Sequence, residues 1–311
     1  MNSVNKSVLR VNKFFKQLEN YNSNKIIVYT DKINALAQAN LSDKRFNKIS
    51  NIDGQLFVVK PNIRVSSFPY TGGIKEFENS ISLTDDPLIA NIKNNGGIIV
   101  GSTNMDEAAF GGDTSSSFYG RCINPINKQL SVGGSSGGSA AAISSGIVKY
   151  SIGTDTMGSV RIPASLNGIV GLKTTKNRWP TDGIFPLSPT LDTPGPIARN
   201  VKDTKLIFNT YNGTTIDQKP IKLDGMTFGK LKEPFTSNLD PEVEEAYEII
   251  CSKLEKMGAS IEELVIPEAN EKATLFPTIV GSEIISAFGK DRFIKNVEKM
   301  DPVTGNRAKL G

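Results

Sequence analysis

Residues 131–173 read SVGGSSGGSAAAISSGIVKYSIGTDTMGSVRIPASLNGIVGLK. Two Gly/Ser clusters, Gly133 to Ser139 and Asp155 to Ser159, flank one small-residue run. Glycines set among serines let backbone amides approach a ligand closely and reach torsions closed to larger residues. The same composition suits a flexible linker. Linkers, however, are not followed by Ile143, Val148, Ile152 and Val170 at core-like spacing. The stretch therefore reads as the ordered floor of a site: a helix from about Gly138 to Ser145, a strand over Val148–Ile152, a turn at Asp155–Ser159 and a strand over Ile169–Leu172.

Upstream, Leu56-Phe57-Val58-Val59 is a buried-strand pattern that ends at Lys60-Pro61. Pro61 has no amide hydrogen to give a ladder, so Lys60 falls at the strand's end. Thr71-Gly72-Gly73 marks a turn. Asp85 or Asp86 caps a helix through Leu88, Ile89 and Ile92, which Gly96-Gly97 closes before the strand Ile98-Ile99-Val100-Gly101. This alternation points to an α/β unit with a sheet at its centre. Thr103 to Asn127 is loop-rich and expected over the sheet edge. The first 45 or so residues read as helices. One carries the stripe Val4, Val8, Val11, Phe15 and Leu18; another, over Lys32–Ala39, is capped by Asp31. With Lys6, Arg10, Lys13 and Lys16 nearby, the first is either docked on the body or an organelle-import segment.

Beyond Gly183 the texture loosens through Pro186, Pro189, Pro194 and Pro196. A second α/β unit follows, with a strand near Met226–Gly229 and another over Ile261–Ile266. Its helix has Asp240 as cap, Pro241 in first position and Gly258 past the end. Val243, Tyr247, Ile250, Leu254 and Met257 form that helix's apolar stripe. A last helix is read over Glu283–Phe288.

Composition narrows the chemistry. The 311 residues suffice for one large or two modest domains. The 36 basic and 32 acidic residues are interspersed, which argues against a nucleic-acid surface. No apolar run approaches ~18 residues, so no membrane span is expected. Cys122 and Cys251 are the only cysteines, too few for a disulfide framework or a zinc site, and they fit a reducing, cytoplasmic setting. The chain has no histidine, which removes a Ser-His-Asp triad, a Cys-His dyad and the usual metal sites. Neither a metal nor any other cofactor is expected. Acyl transfer would then need a serine, another base that is neutral near pH 7, and donors for an oxyanion. A lysine can be that base if burial depresses its ionisation. Lys60 is either such a lysine or a solvated strand end.

The blocks Val58-Val59-Lys60-Pro61-Asn62-Ile63, Gly101 to Glu107, Gly133 to Ser139, Gly153 to Pro163, Gly168 to Lys173 and Leu191 to Arg199 together resemble the amidase signature family. These are amide hydrolases and amidotransferase subunits working through Ser-Ser-Lys chemistry. The resemblance is dense over residues 55–205. It implies a central mixed β-sheet with helices on both faces, all 311 residues forming one domain. It further implies Ser159 as acylating nucleophile, Ser135 as bridging serine on a cis peptide bond, and Lys60 as terminal base. The amides of Thr156, Met157, Gly158 and Ser159 would form the oxyanion hole, supported by Gly133, Gly134 and an ion pair between Asp155 and Arg161.

Three features depart from the family pattern. Pro61 stands where Asp is common and Met157 where Gly is common; Met157 keeps its backbone donor while its side chain would narrow the pocket. Family members also continue well over a hundred residues further, so a missing C-terminal part is expected. Within the resemblance, a stand-alone amidase acting on a small amide competes with the glutaminase subunit of a tRNA-dependent amidotransferase, which would work with partner subunits. That subunit usually carries Gln at the Ile162 position and an Ala-Phe-Ala-Ser-Ser-type stretch where Phe185-Pro186-Leu187-Ser188-Pro189-Thr190 stands. Both differences favour the stand-alone enzyme, a homodimer being possible. A non-catalytic scaffold is the third class.

Overall fold

The computed structural model describes residues 5–214 and 222–309. The chain enters on helix α1 (Lys6–Leu18), which buries Val11 and Phe14. Strand β1 (Ile27–Thr30) leads to α2 (Lys32–Lys44), whose first turn is capped by the Asp31 carboxylate accepting from Asn34 N at 2.9 Å. Strand β2 (Leu56–Val59) is buried throughout. Helix α3 (Pro87–Asn94) starts where Asp86 accepts from Leu88 N and Pro87 fixes the first helical torsion. Asp85 pairs instead with Lys93 at 2.7 Å. Strand β3 (Ile98–Thr103), α4 (Gly137–Ser144), β4 (Tyr150–Asp155), α5 (Arg161–Leu166), the short β5 (Val170–Gly171), β6 (Thr193–Ala198) and α6 (Val201–Asn212) follow.

Six strands form one mixed sheet in the order β1-β3-β2-β4-β6-β5. The parallel pairs β2/β3 and β2/β4 make its centre, and β1, β6 and β5 pair antiparallel toward the edges. Successive side chains of a strand face opposite ways. Leu56 and Val58, with Ile98, Val100 and Ile197, pack against Val11 and Phe14 of α1, Ala35 and Ala39 of α2, and Ala141 to Ile143 of α4. Phe57 and Val59, with Ile99, Tyr150 and Ile152, pack against Leu88, Ile89 and Ile92 of α3, Ile207 of α6 and Trp179. Helices thus cover both faces, and the uninterrupted apolar run of β2 is what a doubly covered strand requires.

Two strands escape the sequence reading. Ile27–Thr30, a β-branched and aromatic run, lies between two helices and pairs with β3 at the sheet edge. Strand β6 contains Pro194 and Pro196, which suggested a loosened segment. In an antiparallel strand the N–H and C=O of one residue point to the same side. The Pro194 and Pro196 carbonyls accept from Thr174 Oγ1 and Leu172 N, each at 3.0 Å, on the side away from β4. Their missing donors therefore face the side where β5 pairs only with Ile197 and Ala198, and the ladder with β4 survives. Strand β4 also runs later than read, to Asp155, because Gly153, Thr154 and Asp155 continue that ladder opposite Gly195, Pro194 and Thr193. In α1, Val11 and Phe14 supply the buried contacts while Val8, Phe15 and Leu18 pack at the margin. Val4 lies outside the described residues.

The chain divides into two compact units at Thr215/Ile216 and Thr278/Ile279. In the second, β7 (Thr227–Leu231), α7 (Pro241–Lys256) and β8 (Ser260–Leu264) form a βαβ unit with parallel strands. Tyr247 ties helix to strand by accepting from Leu231 N at 2.8 Å. The apolar stripe of α7 is not buried: Val243, Ile250 and Met257 are all exposed. Helix α8 (Lys272–Phe288) begins well before the expected Glu283 and contains Pro277. Back in the first unit, α9 (Lys290–Asn296) and α10 (Pro302–Ala308) follow. Among the described residues no helix is long and apolar enough to cross a membrane.

Glu107 anchors this last segment: its Oε2 accepts from Asp301 N at 2.8 Å, and Arg307 Nη1 donates to Phe110 O at 2.9 Å. Burial pushes the Glu107 carboxyl up to about 7, aided by the nearby Asp301 charge and opposed by the hydrogen bonds it accepts. Between its ordinary value of 4.5 and about 7 the folded state holds a proton that the unfolded state has released, so stability falls as pH rises across that window. Glu107→Gln keeps the acceptor and removes the ionisation. Its melting temperature, followed from pH 4.5 to 7.5, is expected to decline less than that of the parent.

Candidate active site

Strand β2 ends at Lys60, whose backbone N–H makes a last ladder bond to Ile152 O at 3.0 Å before Pro61 stops the pairing. Its side chain is fully buried. The Nζ atom lies 2.7 Å from Ser135 Oγ and 2.9 Å from Thr154 Oγ1, and Asn62 Nδ2 donates to the same threonine oxygen at 3.1 Å. Both direct partners of the amine are hydroxyls. Burial pulls the Lys60 ammonium down to about 7, the more distant negative charges of Asp106, Asp192 and Asp155 working the other way.

Ser135 sits just before α4, and the Gly134–Ser135 peptide is cis. Gly134 is required by space: a Cβ there would lie 2.2 Å from Asp106 Oδ2 and 2.7 Å from Asp113 N. Gly133, with φ +75°, precedes it against Pro163. The Asp106 carboxylate gathers the loop around these glycines by accepting from Thr114 N, Ser115 N and Ser116 Oγ. The second cluster is sewn to the first by two bonds of 3.2 Å, Ser136 N to Ser159 O and Ser136 Oγ to Thr154 O.

The Asp155–Arg161 pair expected from the resemblance is present and bidentate, with Nε to Oδ2 at 3.0 Å and Nη2 to Oδ1 at 2.9 Å. Asp155 is buried, which alone would raise its carboxyl. The Arg161 hydrogen bond and charge, with the amides of Val160 and Gly158, outweigh that and hold it below the ordinary range. This carboxylate also engages one of the amides expected in the oxyanion hole. Gly158 N donates to Asp155 Oδ1 at 2.7 Å. Among the described residues the amides of Thr156, Met157 and Ser159 carry no hydrogen bond. Gly158 stays necessary for its backbone: φ is +134°, and a Cβ would meet Ile162 Cδ1 at 2.7 Å. The Met157 side chain is half exposed.

Lys60 and Ser135 are 0 % exposed and Ser159 is 8 % exposed, so all three are buried, Ser159 the least completely. No hydrogen bond joins Ser135 Oγ to Ser159 Oγ in this structure. The arrangement supplies a buried amine whose ionisation is pulled down to about 7, a hydroxyl in contact with it, and a second buried serine beside unbonded amides. Four further residues emerge that sequence reasoning left without a role: Asn62, Asp106, Thr154 and Asp192. Asp192 accepts from Thr156 Oγ1 at 2.5 Å and from the amides of Leu187 and Ser188, bracing the loop from the far side. All four lie inside the quoted blocks, but their partners are distant in sequence. Among the described residues no group of three His, Cys, Asp or Glu side chains is placed to hold a metal ion.

A family model described as Amidase matches residues 10–309. The chain is 36% identical over 267 residues to the A subunit of the glutamyl-tRNA(Gln) amidotransferase of Streptococcus pneumoniae (strain JJA), covering 81% of this chain and 55% of that protein. It thus spans about half the length of the curated relatives it matches. A solved structure described as an amidase superposes with TM-score 0.88 at 25% identity, over 98% of this chain and 70% of that one. The corresponding glutamyl-tRNA(Gln) amidotransferase chain of Thermotoga maritima does so with TM-score 0.70 at 30% identity, over 81% and 59% respectively.

Thr154→Val is close to isosteric but leaves the Asn62 amide and the Lys60 amine short of an acceptor. It is expected to lower unfolding stability by about 1–3 kcal/mol, read from the urea midpoint. Losing an acceptor disfavours the ammonium, so an NMR titration of the Lys60 ε-methylene should move from a midpoint of about 7 to lower pH.

Proposed function

The chain belongs to the amidase family, and from that premise we propose that it hydrolyses amides through an acyl-enzyme on Ser159. The observation that carries the reading is the 2.7 Å contact between the buried Lys60 Nζ and Ser135 Oγ. Neutral Lys60 takes the Ser135 proton while Ser135 takes that of Ser159, and Ser159 Oγ bonds to the amide carbon. The carbonyl electron pair moves to oxygen, which the amides of Thr156, Met157 and Ser159 stabilise. As the tetrahedral species collapses, the carbon–nitrogen bond breaks. The proton held on Lys60 returns through Ser135 to the leaving nitrogen, giving a neutral amine or ammonia. Water then attacks the ester by the same relay, releasing the acid and restoring Ser159. The relay requires that Ser135 and Ser159 come into hydrogen-bond contact when substrate binds, as catalytic hydrogen bonds are often loose before that.

A second reading is supported by the curated relatives, which are amidotransferase A subunits. In it the amide is that of glutamine and the ammonia passes to partner subunits. Ile162 and the Phe185–Thr190 stretch, where that subunit usually differs, favour a stand-alone amidase on a small amide. Glutamine hydrolysis that appears only when partner subunits are added would decide for the amidotransferase.

A serine-directed fluorophosphonate is expected to label the protein at Ser159, with labelling lost in Ser159→Ala; absence of labelling in the parent would leave a non-catalytic member of the fold. For Lys60 the sign follows from its depression to about 7: the neutral base grows as pH rises. The rate kcat/KM should therefore climb about tenfold per pH unit below 7 and level above it. Lys60→Ala should abolish acylation in a single turnover, and normal acylation in that variant would remove the lysine from the mechanism.

A further inference from the structure

The basic first helix, left open by the sequence, borders a cavity of about 260 Å³ at the end of the sheet opposite Lys60. Strand β2 begins at this cavity with Leu56 and runs toward Lys60, four residues and ~13 Å further on. The two sites therefore lie at opposite ends of one strand.

Arg10 and Lys13, one turn apart on α1, face the cavity together with Lys149 from the segment before β4. No carboxylate lines it, and among the described residues none of these three cations takes part in an ion pair. The Arg10 guanidinium is held in place by donating from Nη1 to Gly54 O at 3.1 Å, which leaves its other donors free to point elsewhere. Below the cations, Phe14, Leu56 and Val148 form a floor of buried apolar side chains. Three like charges bordering one concave surface with an apolar floor favour an anion there. A lysine on a purely solvated face needs no such floor.

We propose that this cavity binds a small organic anion, with a phosphate or carboxylate head held by Arg10, Lys13 and Lys149 and an apolar body resting on Phe14, Leu56 and Val148. The occupant is a free metabolite-sized molecule, since the open cavity of about 260 Å³ suits one group of this kind and the charge lining it is confined to three side chains.

The test uses phenyl phosphate as probe on the full chain, by isothermal titration calorimetry, with inorganic phosphate and phenol as comparisons. Saturable binding of phenyl phosphate at one site is expected, about tenfold or more tighter than inorganic phosphate, with none for phenol. The doubly exchanged Lys13→Glu/Lys149→Glu protein should bind the probe at least about tenfold more weakly while keeping its unliganded melting temperature. Should that variant fold poorly, Lys149→Ala, at an exposed position, should still show a measurable loss. Absence of saturable binding, equal affinity for inorganic phosphate, unchanged affinity in both variants, or preferential binding of a single-stranded RNA oligonucleotide would each overturn the proposal.

Discussion

An amine buried against hydroxyls rather than carboxylates is the constraint on which this structure turns. A carboxylate in direct contact would hold the Lys60 ammonium charged through pH 7 and beyond. Its contacts are instead Ser135 and Thr154, which hydrogen-bond either protonation state. Asp106, Asp192 and Asp155 act from further away and keep the fall in its ionisation moderate. Much of the surrounding architecture positions the amine and its two hydroxyl contacts. Strand β2 brings the lysine in from one side, β4 brings Thr154 and Asp155 alongside, and the turn into α4 supplies Ser135.

The loop carrying Ser159 shows how carboxylates can be used without touching the amine. Asp155 collects amides from Gly158, Val160 and Arg161 together with the Arg161 side chain. Asp192 holds Thr156 from the opposite side. Clamped between them, the segment leaves the amides of Thr156, Met157 and Ser159 without protein partners, and only Gly158 can supply the backbone torsion that the turn requires.

How much of this was legible in the sequence depended on the range of the interaction. Local signals worked well: the apolar run Leu56–Val59, the Asp31 and Asp86 caps and the Pro61 stop all sit where read. The places of Lys60, Ser135 and Ser159 came from ordered blocks rather than from periodicity. What failed was decided by partners distant in the chain. Pro194 and Pro196 argue against a strand until β4 and β5 show which edge they face. Whether the Gly158 amide turns toward Asp155 or toward the pocket is likewise a matter of three-dimensional direction that no spacing encodes. The α7 stripe has helical period but remains exposed, because periodicity says which residues share a face and not what covers it.

The graded exposure of Lys60, Ser135 and Ser159 has a consequence for selectivity inside the site. An unprotonated amine is a stronger nucleophile than a hydroxyl, so an electrophile free to choose would modify the lysine and end there. Lys60 and Ser135 are sealed and Ser159 is nearly so; in the proposed mechanism a proton would travel inward where a carbon centre could not. Under that proposal the packing would act as a sieve by size, leaving the interior amine its basicity and denying it covalent reactivity.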